Sequence, residues 1–191
     1  MKLVFGISLC LLMLQPVIGH SQQRMIAEVD LTLIKIEGLQ LGMTQQLVRN
    51  LLQQRYNTER NSQFLRAGVQ CDKQQCTATA VGAELQELLQ VQFNASGELN
   101  WLVLQRRYQG GGSPEECLSQ AEQQIDSLRQ QYSPDNAQRR YRQHSVSLLL
   151  NKAGHSEPAE NSLYGFRAQI KCDPLAKGAA EAEFELRDHS W

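Results

Sequence analysis

Two segments near the end of the chain alternate apolar and polar residues throughout, which constrains the fold more than any other feature. They are YGFRAQIKC (164–172) and AEAEFELR (180–187). A period of two predicts β-strands with one face against a core. The polar sides carry Arg167, Gln169 and Lys171 on the first segment and Glu181, Glu183 and Glu185 on the second. These opposite charges favour pairing of the two strands, and we expect the Glu row to be a solvated strand face.

Shorter alternating segments predict further strands at 28–36 and 144–151 and two hairpins, at 64–81 and 89–104. DKQQ (72–75) connects the first hairpin. The second turns at 94–97.

Two stretches show the apolar period of a helix. In the first, Thr44 is the predicted N-cap of a helix that continues to about Tyr56. In the second, Ser113, Pro114 and Glu116 form a capping box at the start of a helix that reaches Tyr132.

The order of these elements predicts an α+β protein of two tandem small units. Each unit would be one helix packed on an antiparallel sheet of about three to four strands. The boundaries are 22–109 and 110–191, with the glycine-rich QGGGS (109–113) as a hinge.

The first residues have the pattern of a secretory signal peptide, assigned to 1–21. Lys2 precedes an apolar run that Pro16 ends, and small residues at Gly19 and Ser21 suit cleavage before His20 or before Gln22. Cys10 lies inside the apolar run and not at its end, so we expect no lipid anchor. The sequence therefore predicts a soluble, periplasmic or secreted protein without a transmembrane segment.

Four cysteines remain after such cleavage: Cys71, Cys76, Cys117 and Cys172. An even number in an exported chain predicts two disulfides. The four-residue loop places Cys71 opposite Cys76, and the other two lie on core-facing sides of a helix and a strand. We therefore expect Cys71–Cys76 and Cys117–Cys172. Zinc binding is the alternative, but Cys117 and Cys172 are far apart in sequence.

The segment GLQLGMT (38–44), followed by Val48, Leu51 and Leu52, resembles a motif of BamE-like outer-membrane assembly proteins. The fold of that family is similar to that of the tandem β-lactamase inhibitory proteins. The resemblance covers about residues 36–52 and implies helices on a small antiparallel sheet. It implies no functional residues here. Physically, Gly42 allows a tight turn, Met43 fills the core and Thr44 caps the helix.

The pattern of charged and nucleophilic residues indicates no catalytic site. The net charge of −1 gives no basis for binding nucleic acid. His144, His155 and His189 lie outside recognised nucleophile or zinc motifs, and the GGG run lacks the lysine of a phosphate loop. We expect no enzyme activity, cofactor or metal.

The candidate for partner binding is the cluster Arg139, Arg140, Tyr141 and Arg142, because Arg and Tyr are enriched at interfaces. Arg106, Arg107 and Tyr108 have similar character. The aromatic candidates are Trp101, Tyr108, Tyr141 and Trp191. We expect a non-catalytic protein-binding or envelope assembly-accessory protein. The alternatives are an enzyme inhibitor acting through concave sheet surfaces and an unrecognised hydrolase.

Overall fold

The computed structural model describes residues 28–59, 61–109, 112–132, 138–142, 144–152, 164–175 and 179–188. These residues form one sheet and two helices. The helices are α1 (Gln45–Arg55) and α2 (Pro114–Tyr132). The strands are β1 (Glu28–Val29), β2 (Arg66–Cys71), β3 (Gln75–Val81), β4 (Leu85–Phe93), β5 (Leu99–Tyr108), β6 (Gln138–Arg142), β7 (Ser145–Lys152), β8 (Tyr164–Cys172) and β9 (Ala180–Asp188).

All nine strands belong to a single sheet, in the order β1-β7-β8-β9-β5-β4-β3-β2 with β6 also paired to β7. The prediction of two tandem units, each with its own sheet, is wrong. β5 pairs antiparallel with β9 over eight residue pairs from Trp101↔Arg187 to Tyr108↔Ala180, and this pairing makes one sheet of both halves of the chain. One hydrophobic core, drawn from both halves, lies beneath it.

The two edges of the sheet differ. On the outer side of β7, β1 pairs with residues 151–152 and β6 pairs with residues 145–149. At the opposite edge, no strand within the described part of the chain pairs with the outer side of β2.

The glycine–methionine–threonine corner connects α1 to the sheet. Gly42 has a φ of 82°, and its N–H donates to the carbonyl of Leu99 at 2.8 Å. The Leu99 N–H donates in return to the carbonyl of Met43 at 2.8 Å. The Thr44 side chain accepts from the N–H of Leu47, so Thr44 is the N-cap as predicted. Met43 packs against the core.

α2 begins with the predicted capping box. The Glu116 N–H donates to Ser113 Oγ at 3.2 Å, and the Ser113 N–H donates to Glu116 Oε2 at 2.9 Å. Ala121 and Ile125 are buried against the sheet. Neither described helix is long and apolar enough to cross a membrane.

Both predicted disulfides are present. Cys71–Cys76 links directly opposed positions of β2 and β3. Cys117–Cys172 joins α2 to β8 with 6.0 Å between the Cα atoms.

The predicted strand over 28–36 is wrong beyond Val29. The Asp30 side chain accepts from the N–H of Thr32 at 2.9 Å and begins a 3₁₀ turn at Leu31–Leu33. This local hydrogen bond outweighs the strand preference of the apolar alternation, and Leu33 is left 69% exposed.

The predicted signal peptide (1–21) and Gly110–Gly111 of the hinge lie outside the described residues.

Candidate functional site

Alternation along the strands gives the sheet two distinct faces. The core residues of β3, β4, β5, β8 and β9 share one face with the buried residues of α1 and α2. We call this the helix face. The opposite side of β3, β4, β5, β8 and β9 is the open face, because no described helix packs on it. Its side chains include Thr79, Gln86, Leu88, Trp101, Gln105, Arg107, Arg167, Lys171, Glu181, Glu183, Glu185 and Arg187.

A groove of about 490 Å³ crosses this open face from β3 to β8. Its side chains come from five adjacent strands, so it is a property of the joined sheet and of neither half alone. The open-face side chains that line it are Thr79, Val81, Gln86, Leu88, Gln105, Arg107, Gln169, Lys171, Glu181 and Glu183.

The part of the groove on β3 and β4 is neutral. Thr79, Gln86 and Leu88 combine a hydroxyl, an amide and an apolar side chain. Amides and hydroxyls both donate and accept hydrogen bonds, which suits contact with polypeptide backbone and side chains.

The part on β5, β8 and β9 is charged. Arg107 Nη2 pairs with Glu181 Oε1 at 2.6 Å. Glu183 accepts from Gln105 Nε2 at 2.9 Å and also pairs with Arg167. These groups are partly exposed, so a partner's charges could exchange with them at little cost.

Glu185 extends this charged ladder beyond the groove. It accepts from Trp101 Nε1 at 3.1 Å and pairs with Arg187 Nε at 2.7 Å. Burial alone would raise the pKa of Glu185, but the bonds from Arg187 and Trp101 and the charge of Arg167 outweigh it, so the pKa is lowered. The expectation of a fully solvated Glu row is therefore wrong at Glu185, which is 8% exposed.

The predicted partner-binding cluster is not a single patch. β6 pairs Arg140 with Ser147 and Arg142 with Ser145, which places these two positions on the open-face side. Tyr141 pairs with Val146, a core residue, and therefore lies on the opposite side, where it is half-exposed. Position 139 shares the side of Tyr141, and the Arg139 side chain lies outside the described part of the structure.

The same alternation separates Arg106 from Arg107. Arg106 and Tyr108 lie on the helix face, whereas Arg107 lines the groove. Of the aromatic candidates, Trp101 lies on the open face, half-buried, and Trp191 lies outside the described residues. Alternation along the strand is the sequence signal that could have separated Arg106 from Arg107, because successive residues of a strand point to opposite faces. The cross-strand neighbours of each residue depend instead on which strands pair.

Of the candidate histidines, His155 and His189 lie outside the described residues, and His144 is half-buried in the turn between β6 and β7. Within the residues that the structure describes, no group of three His, Cys, Asp or Glu side chains could hold a metal ion.

A second charged cluster lies on the helix face around Glu87 of β4, whose side chain is 0% exposed. Glu87 Oε2 accepts from Arg106 Nε at 2.7 Å, and Oε1 accepts from Arg55 Nη2 at 3.2 Å and from the Tyr56 hydroxyl. Glu37 pairs with both guanidinium groups at 2.5 Å. The cluster joins the end of α1 and the turn at Glu37 to the sheet.

Electrostatics in the Glu87 cluster stabilise the charged form of Glu87 and the neutral form of Tyr56. Burial alone would raise the pKa of Glu87, but the Tyr56 hydrogen bond and the charges of Arg106 and Arg55 outweigh it and lower the pKa. Burial and the bond to Glu87 raise the pKa of Tyr56. Since each charge already has protein partners, we interpret this cluster as structural.

No protein-family model matches the chain, and neither a curated protein nor a solved structure is significantly similar to it.

Proposed function

We propose that the protein is an exported, non-catalytic binding protein whose open face docks on a partner protein of the cell envelope. The observation that carries the proposal is the groove across five strands, lined by a neutral polar half and a charged half. A convex protein surface with both amide and charged groups would complement it.

The rigidity of the open face supports this function. Each groove strand is hydrogen-bonded to a neighbouring strand on both sides, which fixes the backbone of the open face. A surface ordered before binding loses little conformational freedom on association. The two disulfides support export, because such bonds persist mainly in oxidising compartments.

An enzyme inhibitor is the narrower alternative, favoured by the concavity of the groove. In that case the partner is itself an enzyme, and the groove covers a convex part of its surface. Whether the captured partner loses its activity when it binds the purified chain separates this alternative from an assembly role.

The test is site-specific photo-crosslinking in the exporting cell. Gln105 lies in the groove and Gln124 lies on α2, and both are exposed glutamines, so a photo-reactive residue at Gln124 is a matched control. We expect one dominant protein adduct from position 105 and none from position 124. Arg107→Glu should weaken the adduct at position 105.

Equal adducts from both positions, or none from either, would contradict docking through the open face. Turnover of a substrate panel by the purified chain would instead favour the hydrolase alternative.

A further inference from the structure

The outer edge of β2 presents unpaired backbone groups. In the hairpin that follows, the Asp72 N–H donates to the carbonyl of Gln75 at 2.9 Å. Antiparallel pairs alternate between bonded and non-bonded, so Cys71↔Cys76 is a non-bonded pair and Gln70↔Thr77 is a bonded pair. Following this alternation along β2, the N–H and C=O groups of Ala67, Val69 and Cys71 point away from β3.

This edge lacks the usual protection against pairing. β2 has six residues in one-to-one register with β3, without a bulge, proline or lysine. Native proteins generally blunt an exposed edge with such features or cover it. The opposite edge of the sheet is formed by the two-residue β1 and by β6, which carries three arginines, whereas within the described residues β2 forms this edge alone.

We propose that a second copy of this chain pairs antiparallel with β2, about a two-fold axis at Val69. Val69 then lies opposite Val69 of the partner subunit, and Ala67 lies opposite Cys71 of the partner subunit. Every outward-pointing group from 67 to 71 is bonded in this register. A register shifted by two residues in either direction would place one of Ala67, Val69 and Cys71 opposite a residue whose backbone groups do not point outward.

The charges favour the same register. It places Arg66 opposite Asp72 of the partner subunit, and the symmetry makes this pair twice. Arg66 is exposed and has no ion pair with a described residue, and the Asp72 side chain is exposed at the end of the strand. No like charges face each other across the interface.

Packing on the helix face adds to the pairing. Ala67 and Val69 are half-buried and pack against the core, so contact between the two Val69 side chains would continue the core across the axis. The axis is perpendicular to the sheet, which leaves both open faces on the same side. An interface of one short strand is small, so we expect a weak, concentration-dependent dimer.

The first measurement is sedimentation of the mature protein over a range of concentrations, together with amide hydrogen exchange by NMR. We expect a monomer–dimer equilibrium in which the amides of Ala67, Val69 and Cys71 exchange more slowly as the concentration rises. The amides of Gly68 and Gln70, already bonded to β3, should be protected at every concentration. A monomer at all concentrations, or exchange independent of concentration, would overturn the proposal.

Val69→Pro removes an outward N–H at the axis without removing a bond to β3. It should abolish the dimer, whereas Val69→Ala keeps the N–H and should retain most of it. Arg66→Asp should weaken dimerisation about tenfold through two lost ion pairs. A dimer that persists in Val69→Pro would show that the copies associate elsewhere. If Val69→Pro fails to fold, the concentration dependence of amide exchange in the unmodified chain still decides.

Discussion

Both faces of the sheet carry contacts between arginine and glutamate side chains, but the extent of their exposure to solvent differs. On the helix face, the Glu87 carboxylate is enclosed and contacted by Arg55, Tyr56 and Arg106. On the open face, the Arg107–Glu181 pair is largely exposed. A guanidinium–carboxylate contact therefore cannot be assigned a role by its geometry alone.

Solvation decides what each cluster does. Removing one partner from a buried pair leaves an uncompensated charge in a low dielectric, which costs far more than the pair itself contributes. The Glu87 cluster therefore fixes how α1 docks on the sheet. The exposed Arg107–Glu181 pair contributes little to stability, and its charges remain available to a partner.

The largest expected loss of stability follows from removing the Cys117–Cys172 disulfide, which links α2 to the sheet. Replacing both cysteines of Cys117–Cys172 with alanine should lower the free energy of unfolding by about 4 kcal/mol on the chain-entropy estimate, because the bond closes a long loop. Removing Cys71–Cys76, which closes a short loop, should cost about 2 kcal/mol. Urea denaturation of both variants measures the difference, and equal losses would contradict it.

Glu87→Gln should destabilise the protein by about 3 kcal/mol, since Arg55 and Arg106 would keep their charge without the buried carboxylate. Urea denaturation is again the measurement. Glu183→Gln on the open face is the matched control, and comparable losses for the two variants would remove the distinction between the faces.

Acid should destabilise the protein through the carboxylates of Glu87 and Glu185. The folded-state pKa values of Glu87 and Glu185 are lowered, so their contribution is complete above the unfolded value of about 4.3 and is lost as pH falls through the folded values. The urea midpoint should therefore fall on acidification. Glu87→Gln should flatten this dependence, and an unchanged slope in that variant would show that other groups cause it.

The smallest stability effect is expected on the open face. Glu183→Gln should change the free energy of unfolding by less than about 1 kcal/mol, because its contacts with Arg167 and Gln105 are partly exposed. The same variant should reduce photo-crosslinking from position 105. A large loss of stability without an effect on crosslinking would assign the ladder a structural role instead.

Local patterns in the sequence predicted much of this fold. The DKQQ loop fixed the register that brings Cys71 to Cys76, and opposite charges on 164–172 and 180–187 predicted the β8–β9 pair. The capping residues at Thr44 and Ser113 marked where both helices begin. Each of these features depends on neighbouring residues or on two strands that are close in sequence.

The features that sequence reasoning missed depend on distant pairing. No local sequence pattern near β5 or β9 indicates that these two strands pair with each other. The single sheet therefore could not be predicted from the alternation within each strand. The groove follows from that pairing. Burial of Glu87 was also not predictable, because it requires Arg55 of α1 and Arg106 of β5 to converge on it.

The β5–β9 pairing also has a consequence for how the chain folds. The Trp101–Glu185 hydrogen bond alone spans 84 residues, so closing the sheet requires contacts of high sequence separation. Among the described residues β9 is the last strand in chain order, and until it has formed β5 has one unpaired edge. We therefore expect closure of the sheet to be a late and slow step of folding. A chain truncated before β9 should expose a long apolar strand edge and aggregate.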